Sequence, residues 1–492
     1  MKTTITTIIH DILEQSSPLT LSSILTSIGV FVETLLISQF DDQQSDNNYL
    51  AASALILSFR ALMRSTPLAC LRATSIIIKE QESYGLNEEV GRTLRQGMMI
   101  SGVFASPFML SLLSPSTVFD LLRQRTAVFS ITEQYFRGYL LGFPFTLMIL
   151  NNNQMLAGLL KTKITAINDV SNKIMTLLFG YCLGFGKLGF PRLGVKGIGY
   201  GYSLASFLTF VGSSAYLATI YPEKKPYCFK RDDFNKEEIY KLLQLGLPIS
   251  VQVACELITY AVISFLSGQQ KSESDLAAIG ITNRYILLEF VTISALAQSA
   301  AILVKDYSIE RGPNNARKLG NVSILMGCFI PTIFLAGYFT YPNFFTSIFS
   351  SDSQILAQCR QILPIAGIGQ LLEALRYISA GALRGTEETK YSMKVSMFSN
   401  LCVAVPIIAL LKCFGNATPV NVFLTVDFGL IIAACLMGRK WKKAIDIKCQ
   451  SLPSTERTTQ PSFLKNPISF FRRRRQARAP ERRPLINPYT KR

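Results

Sequence analysis

Residues 221–241 read YPEKKPYCFKRDDFNKEEIYK, the most polar internal connector of a chain whose flanks are long apolar runs. A membrane-spanning helix needs about 20 mostly apolar residues, and six candidates lie on either side of this stretch. Before it come 18–39, 50–78, 97–113, 135–156, 164–185 and 195–220; after it come 243–266, 275–304, 320–341, 362–383, 392–411 and 419–437. The fold class that follows is an all-α membrane protein of twelve transmembrane helices in two six-helix lobes. The expected organisation is an N-terminal segment 1–17, a first lobe 18–220, a linker 221–242, a second lobe 243–438 and a basic tail 439–492 that reads as disordered.

Composition agrees. Of 492 residues 49% are hydrophobic and 17% charged, against about 25% charged in ordinary soluble domains, and the mean hydropathy is +0.29. The formal charge of +18 is concentrated: residues 439–492 carry +13 of it and the other 438 residues only +5. The basicity therefore belongs to a tail and argues against a nucleic-acid-binding body. Histidine occurs once, as His10, which excludes His-based catalysis and His metal sites within the spans. The ten cysteines are scattered without a C-x-x-C pair, so they read as small apolar side chains and imply no disulfide framework. No G-x-x-x-x-G-K-[ST] is present, so no ATP-driven pump is indicated, and no residue set suggests an enzyme. The first apolar run is long enough to act as an uncleaved anchor.

An even number of spans places both termini on one side. Connectors on that side (79–95, 161–163, 221–241, 305–318 and 384–394) hold eighteen Lys and Arg, more than twice the number on the opposite side. The positive-inside rule then makes both termini cytoplasmic. The halves also repeat each other. Leu50-Ala51-Ala52 recurs as Leu276-Ala277-Ala278, Gly85-Leu86-Asn87 as Gly312-Pro313-Asn314, and Ala157-Gly158-Leu159-Leu160-Lys161 as Ala380-Gly381-Ala382-Leu383-Arg384. Each repeat holds an even number of spans, so the halves share one orientation. They should be related by an axis along the membrane normal, with the substrate path between them.

Four stretches carry a family resemblance. They are 81–97 (QESYGLNEEVGRTLRQG), 189–197 (GFPRLGVKG), Leu245-Gly246-Leu247-Pro248 with Glu256 eight residues after the proline, and 380–386 (AGALRGT) with Glu373 eight residues before Gly381. In this order, over about 18–437, the chain resembles the multidrug and toxic compound extrusion (MATE) transporters. The resemblance implies two lobes around a V-shaped cleft. It also implies export of small molecules, often amphipathic organic cations, in exchange for H+ or Na+ by alternating access.

Ionisable groups inside spans are functional candidates by default. By their spacing from Pro248 and Gly381, Glu256 and Glu373 match the family's cation-coupling acids, where Na+ is an alternative to H+; no other cofactor is implied. Glu289 is a third candidate. The structural alternative pairs these acids with Arg284 or Arg376, and Arg376 also counts as a cleft residue. Glu33 stands where relatives carry a first-span acid, but the expected fifth-span partners are Thr176 and Gly180 here. Asn168, Asp169 and Asn172 would substitute only if that helix were offset. Asp427 reads as structural. Arg60 and Arg64, four apart, share a helix face. Unpaired in the cleft they would favour an anionic substrate; the alternative pairs them with Glu33 or with carbonyls freed at Pro67.

The sequence thus reads as a multi-pass integral membrane antiporter and a monomer, with a small-molecule substrate and a lipid bilayer as partners. Phe463, Phe470 and Phe471 beside Arg472–Arg475 offer the tail to anionic lipid, with a solvated, disordered tail as the alternative. Two rivals remain: a lipid or lipid-linked-precursor flippase, and a membrane scaffold working through its tail. An organic-anion exporter using Arg60 and Arg64 is a variant of the transporter reading.

Overall fold

The first helix begins well before the first expected span. The computed structural model describes residues 4–40, 48–113, 126–229, 231–268, 273–348, 353–415 and 418–450. Within them α1 runs Ile5–Ser38 without a break at Pro18. Ile8 and Ile12 are buried and Asp11 accepts a hydrogen bond from Tyr307. The segment 1–17 is therefore no separate polar terminus from Ile5 onward. Ile8, Ile9 and Ile12 recur at helical spacing and give it an apolar stripe to bury, while Ile5 at its start is exposed.

The remaining long helices are α2 (Asn48–Ser83), α3 (Asn87–Leu113), α4, α5 (Thr162–Phe185), α6 (Val195–Ile220), α7 (Lys236–Gly268), α8 (Glu273–Glu310), α9 (Pro313–Thr340), α10 (Ser353–Gly385), α11 and α12 (Pro419–Gln450). Two are interrupted. α4 comprises Thr126–Tyr139, a tight 3-10 turn Leu140–Gly142 and Phe143–Gly158; Pro144 there lacks the N–H needed to continue the ladder. α11 comprises Thr389–Met397, a π-helical turn Phe398–Ala404 and Val405–Cys413, the turn preceding Pro406. Among the described residues eight helices meet a strict length-and-hydropathy test for crossing a membrane. The others include α2, which carries Arg60, Arg64 and Arg72, and α5, which carries Asp169 and Lys173. Exposed Leu325, Phe329 and Ile333 on α9 fall four apart, an apolar stripe of the kind a lipid-facing helix presents.

The twelve helices form two similar halves. α1 packs on α8 across the halves, as α7 packs on α2; within the halves α2 packs on α4 as α8 packs on α10. Exchanging α1 with α7, α2 with α8 and α4 with α10 leaves this pattern unchanged, as a pseudo-twofold axis requires. The repeat read from sequence recurs in detail. Gly85 and Gly312 end α2 and α8 at φ +69° and +83°, a conformation open to glycine. Gly158 and Gly381 let α4 and α10 approach so closely that a Cβ would strike the main-chain carbonyl of Ser75 on α2 or of Ala297 on α8.

The linker is pinned down. Asp233, almost wholly buried, accepts from both Arg95 Nε and Nη2 at 2.7 Å. Every ion pair that joins the halves among the described residues lies on the side of the termini. Lys79 reaches Asp306 at 2.8 Å, Lys241 and Lys305 reach Glu80 at 3.3 Å, Arg92 reaches Glu238 at 3.0 Å, and Arg311 reaches Asp11 at 3.4 Å. Residues Met1–Ile447 form one compact unit. The tail expected to be disordered, 439–492, is helical over 439–450, where the last helix runs on to Gln450 and Trp441 Nε1 donates to Asn321 Oδ1 at 3.0 Å; residues 451–492, with the segment expected to touch lipid, lie outside the described residues.

Candidate functional site

In the first half, α1, α2, α4 and α5 converge on Glu33. Gly29 stands one turn before it, and a Cβ there would overlap Lys173 Cε at 2.7 Å. The glycine thus lets the lysine stem lie across α1. Lys173 Nζ then donates to Glu33 Oε2 at 2.6 Å, while Arg60 Nη1 at 2.5 Å and the Tyr135 hydroxyl at 2.8 Å donate to Oε1. Arg60 Nη1 also donates to the Tyr135 oxygen at 2.9 Å, and its guanidinium lies 5.0 Å from the Tyr202 ring centroid. Glu33 is 3% exposed, and an unpaired carboxylate that deep in a membrane protein would cost several kcal/mol. Two basic groups offset it. The pairing alternative therefore holds for Arg60.

It does not hold for Arg64. One turn on, Arg64 is exposed and makes no hydrogen bond or ion pair among the described residues. It lines a cavity of about 190 Å³ with Arg60, Lys173, Asp169, Asn172 and Thr176. Asp169 accepts from Asn153 Nδ2 at 2.9 Å, and Asn172 donates to Thr209 at 3.2 Å. Asp169 and Asn172 line the same cavity but neither is bonded to Glu33, whose carboxylate is met from this helix by Lys173. Lys173 is not among the candidates read from sequence, although a Lys inside the expected span 164–185 is itself a signal.

In the second half Glu256 of α7 and Glu373 of α10 do meet, through Arg376. The guanidinium is 1% exposed and grips Glu373 with two bonds, Nε to Oε2 at 2.8 Å and Nη2 to Oε1 at 2.5 Å. Its Nη1 donates to Glu256 Oε1 at 2.9 Å, to which Gln252 Nε2 also donates at 3.2 Å. Arg384 Nη2 in turn donates to Gln252 Oε1 at 3.3 Å. Three carboxylate oxygens are thus committed to one guanidinium, a donor set that does not suit a bare Na+. Among the described residues no group of three or more His, Cys, Asp or Glu is placed to hold a metal ion.

Glu289 stands apart from that cluster. It is buried, its Oε1 accepts from the Tyr338 hydroxyl at 2.8 Å, and its Oε2 has no hydrogen-bond partner among the described residues. Arg284, five residues away on the same helix, is exposed, and five residues is not a same-face spacing. Asp427 is buried on α12 against Gly369 of α10, where a Cβ would collide with its Oδ1.

Comparison with known proteins places this geometry. The MatE family profile matches residues 18–182 and 248–410, one copy in each half and together about two thirds of the chain. The probable multidrug resistance protein NorM of Synechococcus sp. is 23% identical, with 88% of this chain and 94% of the relative aligned. NorM of Mannheimia succiniciproducens is 24% identical over 71% and 76%, and the multidrug resistance protein PmpM of Pseudomonas aeruginosa 22% over 81% and 83%. Among solved structures, an outward-facing multidrug resistance MATE transporter of the MOP superfamily superposes with a TM-score of 0.78 at 16% identity, covering 89% of this chain and 96% of that one. A MOP-superfamily transporter from Pyrococcus furiosus, described as having a binding pocket of reversed polarity, gives 0.77 at 15% identity over 89% and 96%. The chain belongs to the MATE family of multidrug efflux transporters, multi-pass integral membrane proteins that move small molecules.

Proposed function

We propose that this chain is a secondary active antiporter that exports small organic molecules against an inward H+ gradient by alternating access of its two halves, with both termini cytoplasmic. The observation that carries the reading is the Glu256–Arg376–Glu373 clamp, which ties α7 to α10 through buried charges alone. Protonating either carboxylate takes the clamp from a net charge of −1 to zero and leaves the guanidinium held by a single carboxylate, a change large enough in low dielectric to alter the packing of the two helices. α7 also packs against α2 of the other half, so a shift of α7 reaches the interface between halves. Commitment of the carboxylate oxygens to Arg376 favours H+ over Na+. The ion pairs between halves on the side of the termini would hold that side shut in this state and part when it opens.

Flux into liposomes holding the purified protein, under a pH gradient or a Na+ gradient imposed separately, tests this. Efflux should follow the pH gradient, and Glu256→Gln and Glu373→Gln should each abolish gradient-driven flux with normal yield of folded protein. Drive by Na+ alone would sink the proton assignment, and full flux in the double variant would remove the clamp from the mechanism.

A further inference from the structure

The cavity of the first half has a charge balance unlike that of a cation receptor. Its basic groups are Arg60, Arg64 and Lys173, and the acids in reach are Asp169 in its wall and Glu33 behind Arg60 and Lys173. With all five ionised, one positive charge is left over. The acids are moreover engaged, Glu33 by two cations and Tyr135 and Asp169 by the Asn153 amide. The donors are not. Arg64 has five N–H groups and uses none on the protein among the described residues. Lys173 has three and spends one on Glu33. An entering cation finds one carboxylate, Asp169, against three basic groups, whereas an anion finds a guanidinium with its planar fork open. Val30, Ile149 and Leu150 line the same cavity and offer an apolar wall.

We infer that this cavity is the binding site for an amphipathic organic anion, a compact aromatic carboxylate or sulfonate, with Arg64 as its main anchor and Lys173 as the second donor. Arg60 is a positioning residue, held by Glu33, Tyr135 and the Tyr202 ring. The inference deepens the transporter reading and rests on it for the direction of movement, but the site stands on its own charges.

The test uses three probes of one shape: benzenesulfonate, neutral benzenesulfonamide and the permanent cation phenyltrimethylammonium. Binding to the purified full-length protein is measured by equilibrium dialysis at fixed chloride concentration. Benzenesulfonate should bind at least tenfold more tightly than either other probe. Arg64→Gln should lose at least tenfold of that affinity and Arg64→Lys should recover part of it, with unchanged melting temperature because Arg64 is exposed and unpaired. Tighter binding of phenyltrimethylammonium, binding of none of the three, or unchanged affinity in Arg64→Gln overturns the inference. Gradient-driven flux separates the two readings. Export of phenyltrimethylammonium without benzenesulfonate keeps the antiporter and overturns the anion site. Benzenesulfonate binding without gradient-driven flux of any probe keeps the site and overturns the antiporter.

Discussion

Lys173 Nζ lies 2.6 Å from Glu33 Oε2, across the gap between α5 and α1 that Gly29 leaves open. The contact turns the first-span acid from a free carboxylate into the shared counterion of two bases. Glu33→Gln should therefore act first on stability. It leaves Arg60 and Lys173 buried without a carboxylate, a loss of about 3–5 kcal/mol. Lys173→Met keeps the Arg60–Glu33 pair and should cost about 1.5–3 kcal/mol, the range for a hydrogen bond to a charged group. Thermal unfolding in detergent checks the order, and equal losses in the two variants would contradict the three-way arrangement.

Arg376 is the second shared partner, with the signs reversed. Arg376→Gln leaves Glu256 and Glu373 facing each other, and the folded state should lose about 3–5 kcal/mol at neutral pH. Glu256→Gln in the same background removes that repulsion, leaves one buried carboxylate, and should restore part of the loss. Melting temperatures of the single and double variants measure it; a double variant no more stable than Arg376→Gln would show that the arginine acts by packing alone.

The pair Lys79–Asp306 joins α2 to α8, with both side chains buried. Lys79→Asp and Asp306→Lys should each weaken the closed side, and the exchange of both should recover it. A double-mutant cycle on the rate of disulfide cross-linking between cysteines introduced at these helix ends should return a coupling of about 0.5–3 kcal/mol. Zero coupling would leave the pair without a role in closure.

Topology has its own test, drawn from the charge bias of the connectors. In a background without native cysteines, a cysteine at Ser45 should react with an impermeant reagent in intact cells and one at Ser454 should not. The reverse pattern would place both termini outside.

Glycines of the repeat separate backbone from packing effects. Ala at Gly85 or Gly312 must adopt positive φ, which costs about 1–2 kcal/mol. Ala at Gly102, in mid-helix with open space where its Cβ would lie, should gain about 0.5–1 kcal/mol. Unfolding of the three variants should show opposite signs.

The number of spans, the division at 221–241 and the repeat were legible in the chain because they rest on local quantities. Run length, polarity and a glycine at a helix end need no neighbour to be read. The same holds for Glu256 and Glu373, whose distances from Pro248 and Gly381 set their depth in α7 and α10. What a charge meets is not local. Glu33 and Lys173 are 140 residues apart and Glu256 and Arg376 are 120 apart, and no pattern along either helix says which face turns to which. The helical lead-in before Pro18 was legible in principle from the spacing of Ile8, Ile9 and Ile12, yet only the helices packed around α1 explain why Ile8 and Ile12 are buried. The sequence by itself determined twelve helices and supplied charges to the membrane. The tertiary structure decided that Arg60 is neutralised and Arg64 is not, because pairing depends on rotation and approach of whole helices, set by small residues such as Gly29 and by packing summed over both halves.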